Sequence, residues 1–171
     1  TSFQAPRLTV AGTGAAEVLT LTTPRRVNVL AGVDSSVALV SSAIGSTSSS
    51  VTVVLSVPGA GVLTSADSTG VITVGGVTGS LTVSGSGTNT ITLQGSAALL
   101  NAWLSRPGKI KARTAVDTSL TIAASTAQAA ATASLSLDAN TAVSPTISHE
   151  SAYRLKTVNA DLLFSPNAIS Y

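Results

Sequence analysis

Few side chains in this sequence could do chemistry, and their spacing does not bring them together. The single histidine, His149, is followed by Glu150, but adjacent residues of an extended chain point to opposite sides. The seven acidic residues are widely separated, so their spacing predicts no carboxylate pair of the kind that glycosidases use. No Gly-x-Ser-x-Gly elbow accompanies the many hydroxyl side chains, and the turn Gly85–Gly87 lacks the lysine of a phosphate loop. We therefore predict a protein that is not an enzyme, with no catalytic residues.

Metal and cofactor sites are equally poorly supported. The chain has no cysteine, which excludes thiol catalysis, disulfide scaffolds, and zinc or iron–sulfur sites built on thiolates. Calcium needs six to eight oxygen ligands, several of them usually carboxylates, and the acids are too few and too scattered for a tight site. We expect no metal ligands and no cofactor.

Charge favours a protein partner over a nucleic acid. Nine Lys and Arg residues against seven Asp and Glu give a net charge of +2, far from the dense cationic face of a nucleic-acid binder. Four cations lie within eight residues, and Trp103 is the one aromatic side chain near them. They form either a solvated strand edge or loop, or a contact to an acidic neighbouring subunit. The four residues are Arg106, Lys109, Lys111 and Arg113.

The overall composition is typical of β-structure. Hydrophobic residues make up 44% of the chain, aromatic residues 3% and charged residues 9%, with the hydrophobicity carried by aliphatic side chains among Ser, Thr and Gly. No apolar run approaches the roughly 20 residues that span a bilayer, and we expect no membrane partner. The N-terminus lacks the charged-then-apolar order of a signal peptide. Because the chain begins at Thr1, we expect a complete small protein that has lost its initiator methionine.

Short β-branched runs separated by turn-forming clusters dominate residues 27–125. In Ile72-Thr73-Val74 and Leu120-Thr121-Ile122, aliphatic residues alternate with threonine, which predicts an antiparallel sheet with threonine on its solvent face. Glycine pairs such as Gly75-Gly76 separate the runs. Seven such strands, including a meander over 70–93, predict a β-sandwich. The predicted strands are 27–30, 36–40, 51–57, 70–74, 80–84, 90–93 and 119–123.

One segment, residues 96–104, has helical character. Ser96 is a suitable N-cap, the following residues are mainly good helix formers, and the segment stops before Arg106-Pro107-Gly108. Its large apolar residues recur on one helical face, so we predict that they belong to the core, with Trp103 closing one end of the sandwich. These residues are Leu99, Leu100, Trp103 and Leu104.

The two flanks differ from this middle region. Residues 1–26 hold two candidate strands, 7–10 and 18–21, and residues 126–171 begin with the low-complexity run TAQAAATASLSLDANTA. We predict a sandwich over 27–125 with an N-terminal arm over 1–26 and a C-terminal extension over 126–171. The arms either fold back onto their own domain or lie on another subunit, and we favour the second. Their predicted anchors are Phe3, Tyr153, Leu162, Leu163, Phe164 and Tyr171.

Residues 27–125 also resemble a known group of domains. The runs VTVVLSVPGAGVLT, TGVITVGGVTGSLTVSGSGTNTITLQGS, AALLNAWLS and DTSLTIAAS are similar to the cadherin-like, immunoglobulin-type repeats of bacterial surface proteins and phage virion proteins. This resemblance implies an all-β, immunoglobulin/cadherin-like antiparallel β-sandwich with one short helix and extended arms. Such repeats usually carry an acidic calcium-binding loop, but the matching stretch, residues 41–50, has no carboxylate.

From these features we predict a non-enzymatic structural protein of a bacteriophage virion, specifically a capsid decoration (cement) protein. It would attach through its arms to other virion subunits and form a homo-oligomer, with a trimer as the first guess. Two alternatives stay open. One is a phage tail or fibre component, and the other is an adhesin or matrix module at the bacterial cell surface.

Overall fold

A computed structural model describes residues 17–141 of the chain together with two short strands, 146–147 and 169–170. The elements are β1 (Leu19–Leu21), β2 (Arg26–Leu30), β3 (Ser35–Val37), β4 (Ile44–Ser46), β5 (Val51–Ser56), β6 (Val62–Ser65), β7 (Gly70–Val74), β8 (Val77–Ser84), β9 (Thr90–Gly95), α1 (Ala97–Leu104), β10 (Ile110–Arg113), β11 (Thr118–Ser125), β12 (Ala130–Asn140), β13 (Thr146–Ile147) and β14 (Ile169–Ser170).

Seven strands form the larger of two layers. Their order is β2-β12-β11-β5-β9-β8-β7, and every neighbouring pair is antiparallel except β2 and β12, which run parallel. The predicted meander is confirmed, since β7, β8 and β9 are consecutive neighbours in the sheet. The sheet is therefore mostly antiparallel, with one parallel strand at its edge.

The second layer is built from shorter pieces. It contains the three-stranded sheet β3-β10-β6, the pair β1-β4 and helix α1. Aliphatic side chains from both layers fill the space between them, and the most deeply buried include Leu55, Leu63, Ile91 and Leu120. The described part of the chain is thus an all-β sandwich with one short helix, as predicted.

The alternation of aliphatic and hydroxyl side chains defines the two faces of the large sheet. Ile91 and Leu93 on β9 are fully buried, whereas Thr92 between them lies on the opposite face. On β11, Leu120 and Ile122 are buried in the same way. The predicted orientation, with threonine outward and aliphatic residues inward, is confirmed on these strands.

Helix α1 forms where the sequence predicted it. The Ser96 side chain accepts a hydrogen bond from the backbone N–H of Leu99, which satisfies one donor of the first turn. The helix ends at Leu104 and is capped by Ser105, whose backbone N–H donates to the Asn101 carbonyl. Its apolar face enters the core, where Leu99, Leu100, Trp103 and Leu104 are each at most 2% exposed.

The sandwich extends past residue 125, where the sequence analysis ended it. Strand β12 pairs with β11 along eight residues and with β2 along five, so it lies inside the sheet and not in a C-terminal extension. Its sequence, AATASLSLDAN, is rich in Ala and Ser, and only Leu135 and Leu137 carry large buried side chains. This weak apolar signal explains the misplaced boundary. Likewise, β1 belongs to the fold because it pairs with β4.

Candidate functional site

The four predicted interface cations lie on and before strand β10. Arg106 follows α1, Lys109 precedes β10, and Lys111 and Arg113 lie on the outward face of β10 itself. The hypothesis of a strand edge is wrong for Lys111, because β10 pairs at this residue with β3 on one side and β6 on the other, whereas Arg113 pairs with β6 only. The sequence suggested an edge because exposed cations on a short strand are typical of edge strands. Only the pairing with distant strands shows that β10 is the central strand of its sheet.

Carboxylates are interleaved with these cations. Lys109 Nζ lies 2.7 Å from Asp67 Oδ2, and Arg113 Nε lies 3.7 Å from Asp34 Oδ1. Two of the four cations are therefore neutralised within the chain. A contact of this region with an acidic neighbouring subunit stays a prediction.

Asp67 connects three elements of the fold. Its Oδ2 accepts hydrogen bonds from Trp103 Nε1 and from Lys109 Nζ, each at 2.7 Å. The Lys109 ammonium, followed by the Trp103 indole, holds the pKa of Asp67 below its ordinary value. Because Trp103 is fully buried, this carboxylate satisfies a donor that would otherwise lose its hydrogen bond on folding. The arrangement fixes the end of α1 to the loop between β6 and β7.

Sequence reasoning did not identify Asp67. It is 36 residues from Trp103 and 42 from Lys109, so no local motif joins the three. The only available signal was that a lone buried tryptophan needs a hydrogen-bond acceptor for its N–H group. It indicates that an acceptor is required near Trp103, but it does not identify the residue that provides it.

Glu17 fixes the place where the described chain begins. Its Oε2 accepts a hydrogen bond from Thr126 Oγ1 at 2.7 Å and from the backbone N–H of Gln128 at 3.1 Å. The Thr126 hydroxyl, with a smaller contribution from the Ser48 hydroxyl, lowers the pKa of Glu17. An ionised Glu17 therefore fixes the first described residue of the chain at the turn between β11 and β12.

Residues 17 and 140, near the limits of the continuously described chain, lie at opposite ends of strand β12. Glu17 lies beside Gln128, just before β12 begins, whereas the carbonyl of Asn140 at its other end accepts a hydrogen bond from the backbone N–H of Ala31. Ala130 and Asn140 are the first and last of eleven residues, so they lie ten steps and roughly 33 Å apart at about 3.3 Å per residue. The segments before residue 17 and after residue 141 therefore start far apart.

Uncharged hydroxyl side chains line two adjacent depressions on the outer surface. Each has a volume of about 450 Å³, and they share Ser49, Ser50 and Gln94. The amide Nε2 of Gln94 lies 3.4 Å from Ser50 Oγ, so this pair forms part of the ridge between the depressions. Neutral hydrogen-bonding groups of this kind suit a neutral polar ligand.

The predicted arm anchors lie outside the described residues. These are Phe3, Tyr153, Leu162, Leu163, Phe164 and Tyr171, and His149 is outside as well. Within the part of the chain that the structure describes, no group of three or more His, Cys, Asp or Glu side chains is placed to hold a metal ion. In that same part, the single helix is too short to cross a bilayer.

No protein family matches the chain, and no curated protein is found as a relative. Among solved structures, the chain is similar to the N-terminal domain of an adhesin from Streptococcus gordonii, with 17% sequence identity and a TM-score of 0.33. The match covers 74% of this chain and 33% of that one, so the chain spans about a third of the length of that structure.

Proposed function

We propose that this protein is a non-enzymatic attachment protein, in which a rigid sandwich holds apart two terminal segments that bind neighbouring protein subunits. The observation that carries the proposal is that residues 17 and 140 lie at opposite ends of β12, with Glu17 fixed there by its hydrogen bonds to Thr126 and Gln128. A connector of this form contacts two places on an assembly at once.

Two weak contacts made by one molecule bind much more strongly than either alone. Once one segment is bound, the other is held close to its own site, which raises its effective concentration. The large apolar side chains of the flanks suit such contacts, because burying each one contributes about 1.5–3 kcal/mol. The C-terminal flank holds most of them, at Tyr153, Leu162–Phe164 and Tyr171.

The assembly that we propose is the capsid of a bacteriophage, on which the protein serves as a decoration subunit. The resemblance of residues 27–125 to repeats found in phage virion proteins supports this assignment, as does the lack of a carboxylate in residues 41–50. A position on the tail or a fibre uses the same attachment chemistry and is the first alternative.

Co-sedimentation with virions from the protein's own source tests the proposal. The full chain should sediment with particles, whereas L162A/L163A/F164A should remain in the supernatant with unchanged Trp103 fluorescence. N159A/N167A changes polar residues of the same flank and serves as the matched control, so it should sediment like the wild type. Sedimentation of the triple variant at the wild-type level would refute attachment through this flank.

The second candidate is an adhesin that binds glycans at a cell surface. The specific observation in its favour is the pair of depressions around Gln94, because hydroxyl and amide groups match the hydroxyls of a neutral sugar. Q94A should then weaken binding of the full chain to immobilised neutral glycans. Retention of virion binding by Q94A, with no glycan bound by the wild type, would favour the first candidate.

A further inference from the structure

A continuous stretch of the sandwich sequence carries no charged residue. Between Asp67 and Arg106 lie 38 residues, and none is Asp, Glu, Lys or Arg. This stretch contains β7, β8, β9 and α1, so no strand at this end of the large sheet carries a charged residue, although the Arg106 guanidinium lies close to Gly75 in the turn after β7. A surface without charge has no electrostatic repulsion to prevent contact with a copy of itself.

The two ends of the large sheet differ in how they are protected. Edge strands usually avoid unwanted pairing through charged side chains, proline or bulges. At one end, β2 begins at Arg26, which follows Arg25 and pairs with Asp138 at 2.9 Å. At the other end, β7 has the sequence GVITV, and its register with β8 contains no bulge. Its Val71 side chain is 74% exposed.

The hairpin geometry shows which backbone groups of β7 face outward. Gly75 and Gly76 have φ angles of 61° and 81°, which fit a two-residue type I′ turn closed by a hydrogen-bonded pair of Val74 and Val77. Hydrogen-bonded and non-hydrogen-bonded pairs alternate along an antiparallel ladder. The N–H and C=O groups of Val71 and Thr73 therefore point away from β8, towards the side on which no described strand pairs with β7.

We propose that β7 pairs antiparallel with β7 of a second copy of this chain, about a two-fold axis beside Ile72. In this register, Val71 faces the partner's Thr73 and Thr73 faces the partner's Val71. Each of these two pairs exchanges both backbone hydrogen bonds, which gives four bonds in all. The pairing joins two seven-stranded sheets into one continuous sheet.

Absence of charge is the reason to name a second copy as the occupant. A two-fold contact sets each surface patch against the identical patch, so any charge on the edge would meet a like charge. Strand β7 avoids this penalty along its whole length, and Ile72 meets an identical aliphatic side chain at the axis. A five-residue edge is much smaller than a standard interface, so we expect a weak dimer that forms at high local concentration.

Sedimentation equilibrium of the full chain, up to about 1 mM, tests the proposal with charge variants. V71K/T73K places a lysine opposite a lysine twice, and V71E/T73E does the same with glutamates. Each should dimerise at least about tenfold more weakly than the wild type, and an equimolar mixture of the two should recover association. T82K/S84K adds the same charge on exposed positions of β8, away from the edge, and should dimerise like the wild type.

Amide hydrogen exchange provides an independent measurement. The N–H groups of Val71 and Thr73 should exchange rapidly in dilute protein and become protected at high concentration. A wild-type chain that stays monomeric would overturn the proposal. So would association that V71K/T73K does not weaken, because the contact would then lie elsewhere. The pairing is independent of the proposed function, because it uses a sheet edge and not the terminal flanks. Failure of the dimerisation test would therefore not refute attachment through the flanks, and failure of the co-sedimentation test would not refute the pairing.

Discussion

Removal of the Asp67 carboxylate should destabilise the sandwich more than removal of any exposed ion pair. The carboxylate accepts two hydrogen bonds of 2.7 Å, one from the buried indole of Trp103 and one from the Lys109 ammonium. In D67A, the indole N–H loses its acceptor, and an unsatisfied buried donor costs about 1–3 kcal/mol. The Lys109 side chain is one-quarter exposed, so its ammonium group can recover water and adds less.

The conservative variant D67N separates the hydrogen bond from the charge. Its amide oxygen can still accept from Trp103 Nε1, so only the charged contribution to the interaction with Lys109 is lost, which we expect to cost about 1 kcal/mol. The pKa of Asp67 is lowered in the folded protein, so its stabilising contribution is present above the unfolded pKa, near 4. The advantage of wild type over D67N should therefore shrink as the pH falls through the lowered folded pKa.

Urea unfolding followed by the fluorescence of Trp103, the single tryptophan, measures these differences directly. D34A is the matched control, because its partner Arg113 lies 3.7 Å away and both side chains are about half exposed. It should change the free energy of unfolding by less than about 0.5 kcal/mol. Equal stability of D67A and D34A would refute the structural role given to Asp67.

Three further predictions concern other fixed points of the fold. The Asn101 side chain bonds both the N–H and the C=O of one residue on β4, so N101A should lower the free energy of unfolding by about 1–3 kcal/mol in the same assay. Gly85 has a φ of +80°, and a Cβ there would collide with a backbone carbonyl, so G85A should lower the free energy of unfolding by about 2–4 kcal/mol. G87A should lower it by only about 1 kcal/mol, because Gly87 also has a positive φ but has open space where the Cβ would lie. In E17A the backbone amide of Gln128 should exchange hydrogen faster than in the wild type, because it loses the Glu17 carboxylate as acceptor. In the wild type, the protection of this amide should fall when acid protonates Glu17. Unchanged exchange in E17A would contradict the hydrogen bond from Gln128 to Glu17.

Much of the architecture could be predicted because local patterns determine it. Alternating aliphatic and hydroxyl residues predicted the strands around Ile72, Leu93 and Ile122 and their inner faces. The helix followed from the Ser96 cap and a one-sided apolar face. In each of these segments, secondary-structure preference and burial favour the same assignment, which makes local prediction reliable.

The remaining features depend on contacts that are distant in sequence. Strand β12 has small side chains that pack adequately in a sheet but give a weak periodic signal, so its place between β11 and β2 comes from pairing. Likewise, β4, β6 and β10 are only three or four residues long and were not predicted. The hydrogen bonds of Asp67 and of Glu17 join residues 36 to 111 positions apart, and no pattern in a single sequence identifies them.

The most direct test of the attachment proposal is the protein inventory of purified phage particles from the source. Mass spectrometry of gradient-purified virions should find this chain in a fixed ratio to the major capsid protein, and particles carrying L162A/L163A/F164A should lack it. Particles that contain no copy of the wild-type chain, with the protein found instead in the envelope of uninfected cells, would contradict the account.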